Sequence, residues 1–293
     1  GRGDVLLAEI HRAIVEHSLT LIEMCRLGDD YEGAIALCSE QISGNPFHPQ
    51  FYALRAEALH EQGNYEAALA DFDMAIEFDA AQWLYYSDRA GTRMALSQHD
   101  DAIADFSAAL TLNPDSAYLF YLRSVAWYEK GNYEEALADQ NRAIGIGPVE
   151  SIYYVYRGHT RWLLDNYDGA IADYSEAIVL NSECASLYYW RAALRYECGE
   201  YEAALLDIDD YAIEMEPDNE DFLQLRSKII DLLPTAQNTS IDVASAASSS
   251  LDPSVNGSNN STEKSKPLNS FDIDIEISER SNGKTHAYDI DLE

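Results

Sequence analysis

Basic residues are scarce: 19 lysines and arginines stand against 52 aspartates and glutamates in 293 residues, a formal charge of -33. So acidic a chain repels phosphate backbones and anionic lipid headgroups, and neither nucleic acid nor membrane insertion is expected. Long apolar runs are missing too. None approaches the roughly 20 residues that cross a bilayer, and the N-terminal residues do not set a basic stretch before a hydrophobic one. Only four cysteines occur, Cys25, Cys38, Cys184 and Cys198, with no C-x-x-C pair and no histidine at zinc-ligand spacing. That excludes the common structural metal sites and fits a reduced, cytoplasmic compartment, although a chain beginning at Gly1 leaves an upstream targeting segment open. Cys25 and Cys38 read as packed thiols, and Cys184 and Cys198 flank a helix too long to let them bridge. His11, His17, His48, His60, His99 and His159 are scattered, with no nucleophile and orienting acid around them. The one glycine-rich turn, GIGP at 145–148, lacks the strand-to-helix setting of a phosphate loop. No catalytic residue, metal or cofactor is expected.

What the sequence has in abundance is self-similarity. GNYEAALADFDMAI, GNYEEALADQNRAI and NYDGAIADYSEAI recur on a spacing of 34 residues. In that register one column reads Ala34, Ala68, Ala102, Ala136, Ala170 and Ala204. Three residues earlier stand Tyr31, Tyr65, Tyr133, Tyr167 and Tyr201, with His99 as the exception. A second small-residue column reads Ala56, Ala90, Ser124, Gly158 and Ala192, and a third reads Ala75, Ala109, Ala143 and Ala177. Small side chains at fixed places let helix backbones approach closely. An aromatic column, Tyr52, Tyr86, Phe120, Tyr154, Tyr188 and Phe222, opens each unit, while Phe72, Phe106 and Tyr174 lie late in theirs. Pro46, Pro114 and Pro148 fall between units, where a helix must stop, and Gly63 and Gly131 fall inside them, where the chain must turn.

The pattern resembles the tetratricopeptide repeat family, whose units are antiparallel helix pairs with small residues at the eighth, twentieth and twenty-seventh positions. The resemblance covers residues 15 to 218 and implies an all-α, right-handed superhelical solenoid of about six repeats: 15–48, 49–82, 83–116, 117–150, 151–184 and 185–218. The first unit diverges, with Gln41 in an alanine column. The sixth carries one extra residue, because Ala212 and Pro217 are shifted by one. Residues 1–14 are expected to extend the first helix, and 219–233 to form a solvating cap helix with a polar outer face.

Such repeats imply a concave surface lined by the first helix of each pair, which is the expected site for a protein or peptide partner. In the branch that grips chaperone C-terminal carboxylates, lysine, asparagine and arginine hold set positions in this groove. Here those places hold Ala53, Ser87, Tyr121, Val155 and Tyr189, and then Glu57, Gly91, Val125, His159 and Ala193. Without cationic and amide donors, binding of a chaperone carboxylate is disfavoured. The groove instead offers aromatic and aliphatic surface: Tyr118, Tyr121, Tyr128, Val155, His159, Trp162, Tyr189 and Trp190 are the candidate partner-binding residues. Ordinary packing between helices is the competing explanation of the same side chains.

One column departs from the family's usual leucine. Arg55, Arg89, Arg123, Arg157 and Arg191 occupy the seventh position, and Asp71, Asp105, Asp139, Asp173 and Asp207 form a matching column on the second helices. An arginine fork can hold a carboxylate with two parallel hydrogen bonds, so these residues predict a structural ladder of partly buried ion pairs. The alternative is a cationic track for an acidic ligand, since Arg93, Arg161 and Arg195 lie one turn beyond three of them.

After Leu233 the composition turns to Ser, Asn, Thr and Ala, and residues 234–293 are expected to form a disordered acidic tail. Near its end FDIDIE (271–276) and YDIDLE (288–293) repeat one motif, which suits a tethered bivalent ligand or a segment that docks on the repeats. The leading expectation is a non-enzymatic scaffold or adaptor. A structural subunit of a larger assembly and a co-chaperone-like protein lacking the carboxylate clamp stand behind it.

Overall fold

The computed structural model describes the backbone of residues 2–147 and 149–233, and side chains from Ala13 onward. Pro148, the tail and its two motifs lie outside the described residues. Twelve helices alternate as first and second members of six pairs: α1 (Arg2–Leu27) with α2 (Tyr31–Gly44), α3 (Pro49–Glu61) with α4 (Tyr65–Phe78), α5 (Trp83–Ala95) with α6 (His99–Leu112), α7 (Ala117–Glu129) with α8 (Tyr133–Ile146), α9 (Ser151–Leu163) with α10 (Tyr167–Leu180), and α11 (Ala185–Glu197) with α12 (Tyr201–Asp207). A short α13 (Ile213–Met215) and a terminal α14 (Glu220–Leu232) follow. From α1 to α12 each helix packs on the next in sequence, α14 packs back on α11 and α12, and no strand occurs among the described residues. α1 runs through residue 15 without a break.

The pairs fold back because position fifteen of every unit adopts the left-handed region: Asp29, Gly63, Ser97, Gly131, Asp165 and Gly199 all have φ between 56° and 83°. The next amide then bonds back five residues, as from Asn64 N to Leu59 O at 2.8 Å and from Gln98 N to Arg93 O at 2.9 Å, satisfying a carbonyl at the helix end. Between units, α3 opens on Pro49 in its first turn, where a missing N–H costs nothing. Side-chain oxygens of Asp30, Ser116, Asn166 and Asn219 cap α2, α7, α10 and α14.

The core is built at the contacts between pairs. Ala34, Ala68, Ala102, Ala136, Ala170 and Ala204 are all completely buried, so an added methylene there meets packed backbone and would cost about 1–3 kcal/mol. Size is matched across the pair. Gly158 replaces the alanine of its column where Tyr174 fills the opposite position, and a Cβ on Gly158 would lie 3.1 Å from Tyr174 Cε1.

The extra residue of the sixth unit is absorbed locally. Helix α12 passes through a π-helical turn at Ile208–Ala212, which holds one residue more than an α-turn, before α13 resumes. Upstream of it Arg191 still meets Asp207 at the usual separation of 16 residues, whereas beyond it Arg226 meets Asp209 at a separation of 17. Phe222 therefore corresponds to Tyr153 and Leu187, not to the aromatic column in which its number placed it. Its ring lies 5.1 Å from Tyr189, as that of Tyr153 lies 4.8 Å from Tyr121.

Candidate functional site

The arginine and aspartate columns meet inside the pairs. Arg55 donates Nε–H to Asp71 Oδ2 at 2.6 Å and Nη2–H to Oδ1 at 2.7 Å, and the same two-pronged contact joins Arg89 to Asp105, Arg123 to Asp139 and Arg191 to Asp207. Arg157 reaches Asp173 at 2.7 and 3.1 Å. The remaining Nη1 points to the preceding unit: to Ser39, Asp73, Ser107, Asn141 and Ser175 in turn, at 2.6–3.1 Å. Each guanidinium also lies 5.4–5.8 Å from the ring centroid of an aromatic one turn earlier, Tyr52, Tyr86, Phe120, Tyr154 or Tyr188. One side chain thus joins a helix pair internally and ties it to its predecessor. Arg93, Arg161 and Arg195 add a second cation to Asp105, Asp173 and Asp207 at 2.6–2.8 Å. A cationic track would need these eight forks to face a ligand, and each already holds a buried carboxylate.

The candidate groove residues divide by depth. Tyr118 on α7 is 46% exposed, and beside it Tyr121 and Tyr128 are half-buried. Tyr121 stacks on Tyr153 at 4.8 Å and meets Tyr156 edge-on at 5.5 Å. Tyr128 lies edge-on to both Tyr156 and Tyr133 at 5.9 and 5.6 Å. Burial pushes the hydroxyls of Tyr121 and Tyr128 well above the ordinary phenol range, and that of Tyr153 up to about 12, so all stay neutral donors at physiological pH. α7 and α9 thereby present a continuous tyrosine cluster with one open edge. Tyr153 and Tyr133 were not among the groove candidates. The signal for Tyr153 was its place two residues before Val155, where the next helix meets the face of Tyr121.

Val155 and His159 do not line this surface. Val155 is 4% exposed and packs with Ala177 and Leu187, because the fifth position of α9 lies under the following pair. His159 is 2% exposed, with its ring centroid 4.6 Å from that of Trp190 and 5.5 Å from that of Tyr174. Burial drives its pKa down to about 4, against a smaller opposing contribution from the Val155 carbonyl. Trp162 and Trp190 are half-buried against Tyr174 and Leu194, and Tyr189 against Phe222.

The first three units carry charge on the corresponding positions instead. Arg26 binds Glu57 at 2.7 Å and Glu23 at 3.0 Å. The Asp88 carboxyl, desolvated and close to Glu57, is held well above the usual carboxylate range. All four cysteines are unpaired, and burial pushes the Cys38 thiol up to about 12, leaving it unreactive. No helix among the described residues is long and apolar enough to cross a membrane.

A family model described as the tetratricopeptide repeat matches residues 26–82, 88–151 and 157–220. Among solved structures, the C-terminal part of a tetratricopeptide repeat protein from Cytophaga hutchinsonii aligns at TM-score 0.62 and 16% identity, over 72% of this chain and 84% of that one. YrrB, described as a tetratricopeptide repeat protein with an unusual peptide-binding site, aligns at TM-score 0.56 and 20% identity, over 65% and 97%. MamA from Desulfovibrio magneticus RS-1 aligns at TM-score 0.54 and 17% identity, over 57% and 94%. No curated protein matches the sequence. At these identities the likeness is one of fold, a right-handed superhelical solenoid of antiparallel helix pairs. With the three matches together covering more than half its length, the chain belongs to the tetratricopeptide repeat family.

Proposed function

We propose that this protein is a non-enzymatic adaptor that holds a segment of a partner protein against the first helices of its fourth to sixth units. The observation that carries the proposal is the tyrosine cluster of α7 and α9, with Tyr118 open to solvent at its edge and Tyr121 stacked behind it. Tyrosines held rigid by their neighbours supply apolar area and a hydrogen-bond donor with little entropy left to lose, which is why they recur at binding hot spots. YrrB, of the same fold, is described by its peptide-binding site. In units one to three the cation of that face, Arg26, is already bound by Glu23 and Glu57, which discourages the carboxylate of a chaperone tail. The acidic balance of the whole chain argues against nucleic acid in the same way, and four unpaired thiols suit a reducing, cytoplasmic setting.

The test is affinity capture with the full chain and with Tyr118→Ala, Tyr121→Ala and Tyr189→Ala, each checked for folding by circular dichroism. Partners held in the groove are expected to be lost, or weakened at least tenfold, with Tyr118→Ala and Tyr121→Ala. Retention of the same partners by all three variants would favour instead a subunit buried in an assembly through other faces. Turnover of a substrate by the purified chain would sink both.

A further inference from the structure

Helix α14, the last among the described residues, is built as the first helix of a seventh pair whose second helix is not among them. Allowing for the residue absorbed in the π-turn, Phe222, Leu225 and Ile229 fall at the third, sixth and tenth positions, and all three are buried against the sixth unit. Arg226 falls at the seventh position and Ser227 at the eighth, matching the arginine and small-residue columns of the preceding units. In those units the fourth, seventh, eighth and eleventh positions face the pair's own second helix, and its aspartate enters the arginine fork. In α14 no described residue takes the place of that second helix. Leu223 is 43% and Ile230 40% exposed, Ser227 is exposed, and Arg226 turns both prongs of its fork onto Asp209 of the sixth unit. Elsewhere only Nη1 reaches back to that position and the fork itself holds the missing partner's carboxylate.

From this register we infer that the outer face of α14 is a docking site for an amphipathic helix of another protein. The face specifies its occupant, because five copies of the same contact exist in the chain. The incoming helix carries an alanine, an aspartate three residues later for Arg226, an apolar residue directly after it to sit over Ser227 as Tyr174 sits over Gly158, and a second alanine three residues beyond that. This is the pattern of Ala170, Asp173, Tyr174 and Ala177. Leu223, smaller than the aromatic of the other units, and Ile230 provide the apolar flanks. Charge supports the same occupant. Arg226 and Lys228 are the two cations of α14, and one carboxylate on Asp209 leaves the guanidinium with donors for a second.

The proposal is independent of the tyrosine groove, and its test separates the two. The probe is a fluorescein-labelled, end-blocked peptide with the sequence of residues 166–181, titrated with the full chain and followed by anisotropy. Saturable binding is expected. It should weaken at least tenfold with Arg226→Glu or Ile230→Asp in the protein, or with the probe's aspartate (Asp173 in this chain) replaced by arginine. Pairing that arginine probe with the Arg226→Glu protein should restore it. Tyr118→Ala should leave the titration unchanged. Hydrogen exchange of the α14 amides in each variant checks that the helix is still formed, and in the wild type those amides should gain protection when peptide binds. Absence of saturable binding by the full chain, including the case in which the rest of the chain already covers this face, overturns the proposal. So does binding indifferent to both Arg226→Glu and Ile230→Asp.

Discussion

At the scale of single residues, the neighbourhood of Gly158 shows how one vacancy is filled by another side chain. Tyr174 occupies the space that an alanine would take, and His159 and Trp190 close around its ring. Because burial holds His159 near 4, below the value of about 6.5 in an unfolded chain, folding there requires the neutral imidazole. The sign follows from linkage. The stabilisation is whole above pH 6.5, declines as pH falls and the unfolded chain takes up a proton that the folded one refuses, and is gone below about 4. Urea unfolding is expected to show that His159→Leu removes about 3 kcal/mol of acid sensitivity across this window relative to the wild type. Identical pH slopes for the two proteins would contradict the buried neutral ring. Neither His159 nor Val155 betrayed its depth in the sequence. Period fixes the face of a helix on which a residue sits. How deep that face lies depends on the size of neighbours such as Tyr174 and Leu187, which come from other helices.

At the scale of elements, the six left-handed turns differ in chemistry while sharing one backbone geometry. Gly63, Gly131 and Gly199 meet it without strain, whereas Ser97 carries a Cβ into a region that L-residues enter at a cost of roughly 1–2 kcal/mol. Ser97→Gly is therefore expected to raise the unfolding free energy in urea titration by about 0.5–1 kcal/mol after the added freedom of the unfolded glycine is allowed for, and Gly63→Ala to lower it by a similar amount. A fall in midpoint for Ser97→Gly would mean that the serine makes a compensating contact. The columns of alanine, arginine and aspartate were legible in the sequence because each repeats one residue type. This turn was legible at the glycines, Gly63 and Gly131 with Gly199 in the same column, and hidden at Asp29, Ser97 and Asp165, which carry a Cβ into the same dihedral region. Phe222 was misplaced for a different reason. A count of 34 is blind to a residue swallowed by a π-turn, and only the backbone shows where the extra one lies.

At the scale of the molecule, each pair touches only its neighbours, so cooperativity has to be transmitted through the contacts between them. The arginine ladder lies across those contacts. Asp139→Ala would strand Arg123, whose side chain is 22% exposed, and is expected to cost about 2–4 kcal/mol. Calorimetry should then resolve two transitions where the wild type has one, with the halves parting near the fourth unit. A single transition at lower temperature would show that apolar packing alone carries the coupling. The same ladder divides the protein's electrostatics into two compartments with unequal responses to salt. Eight arginines face five aspartates in the interior, so the outer surface carries more negative charge than the formal total suggests. Added electrolyte screens that outer self-repulsion over about 10 Å at 0.1 M while hardly reaching the enclosed cations. The solenoid is in effect a polyelectrolyte coil wound on an ionic spine, and added salt is expected to relax the repulsion along the coil while leaving its rungs in place.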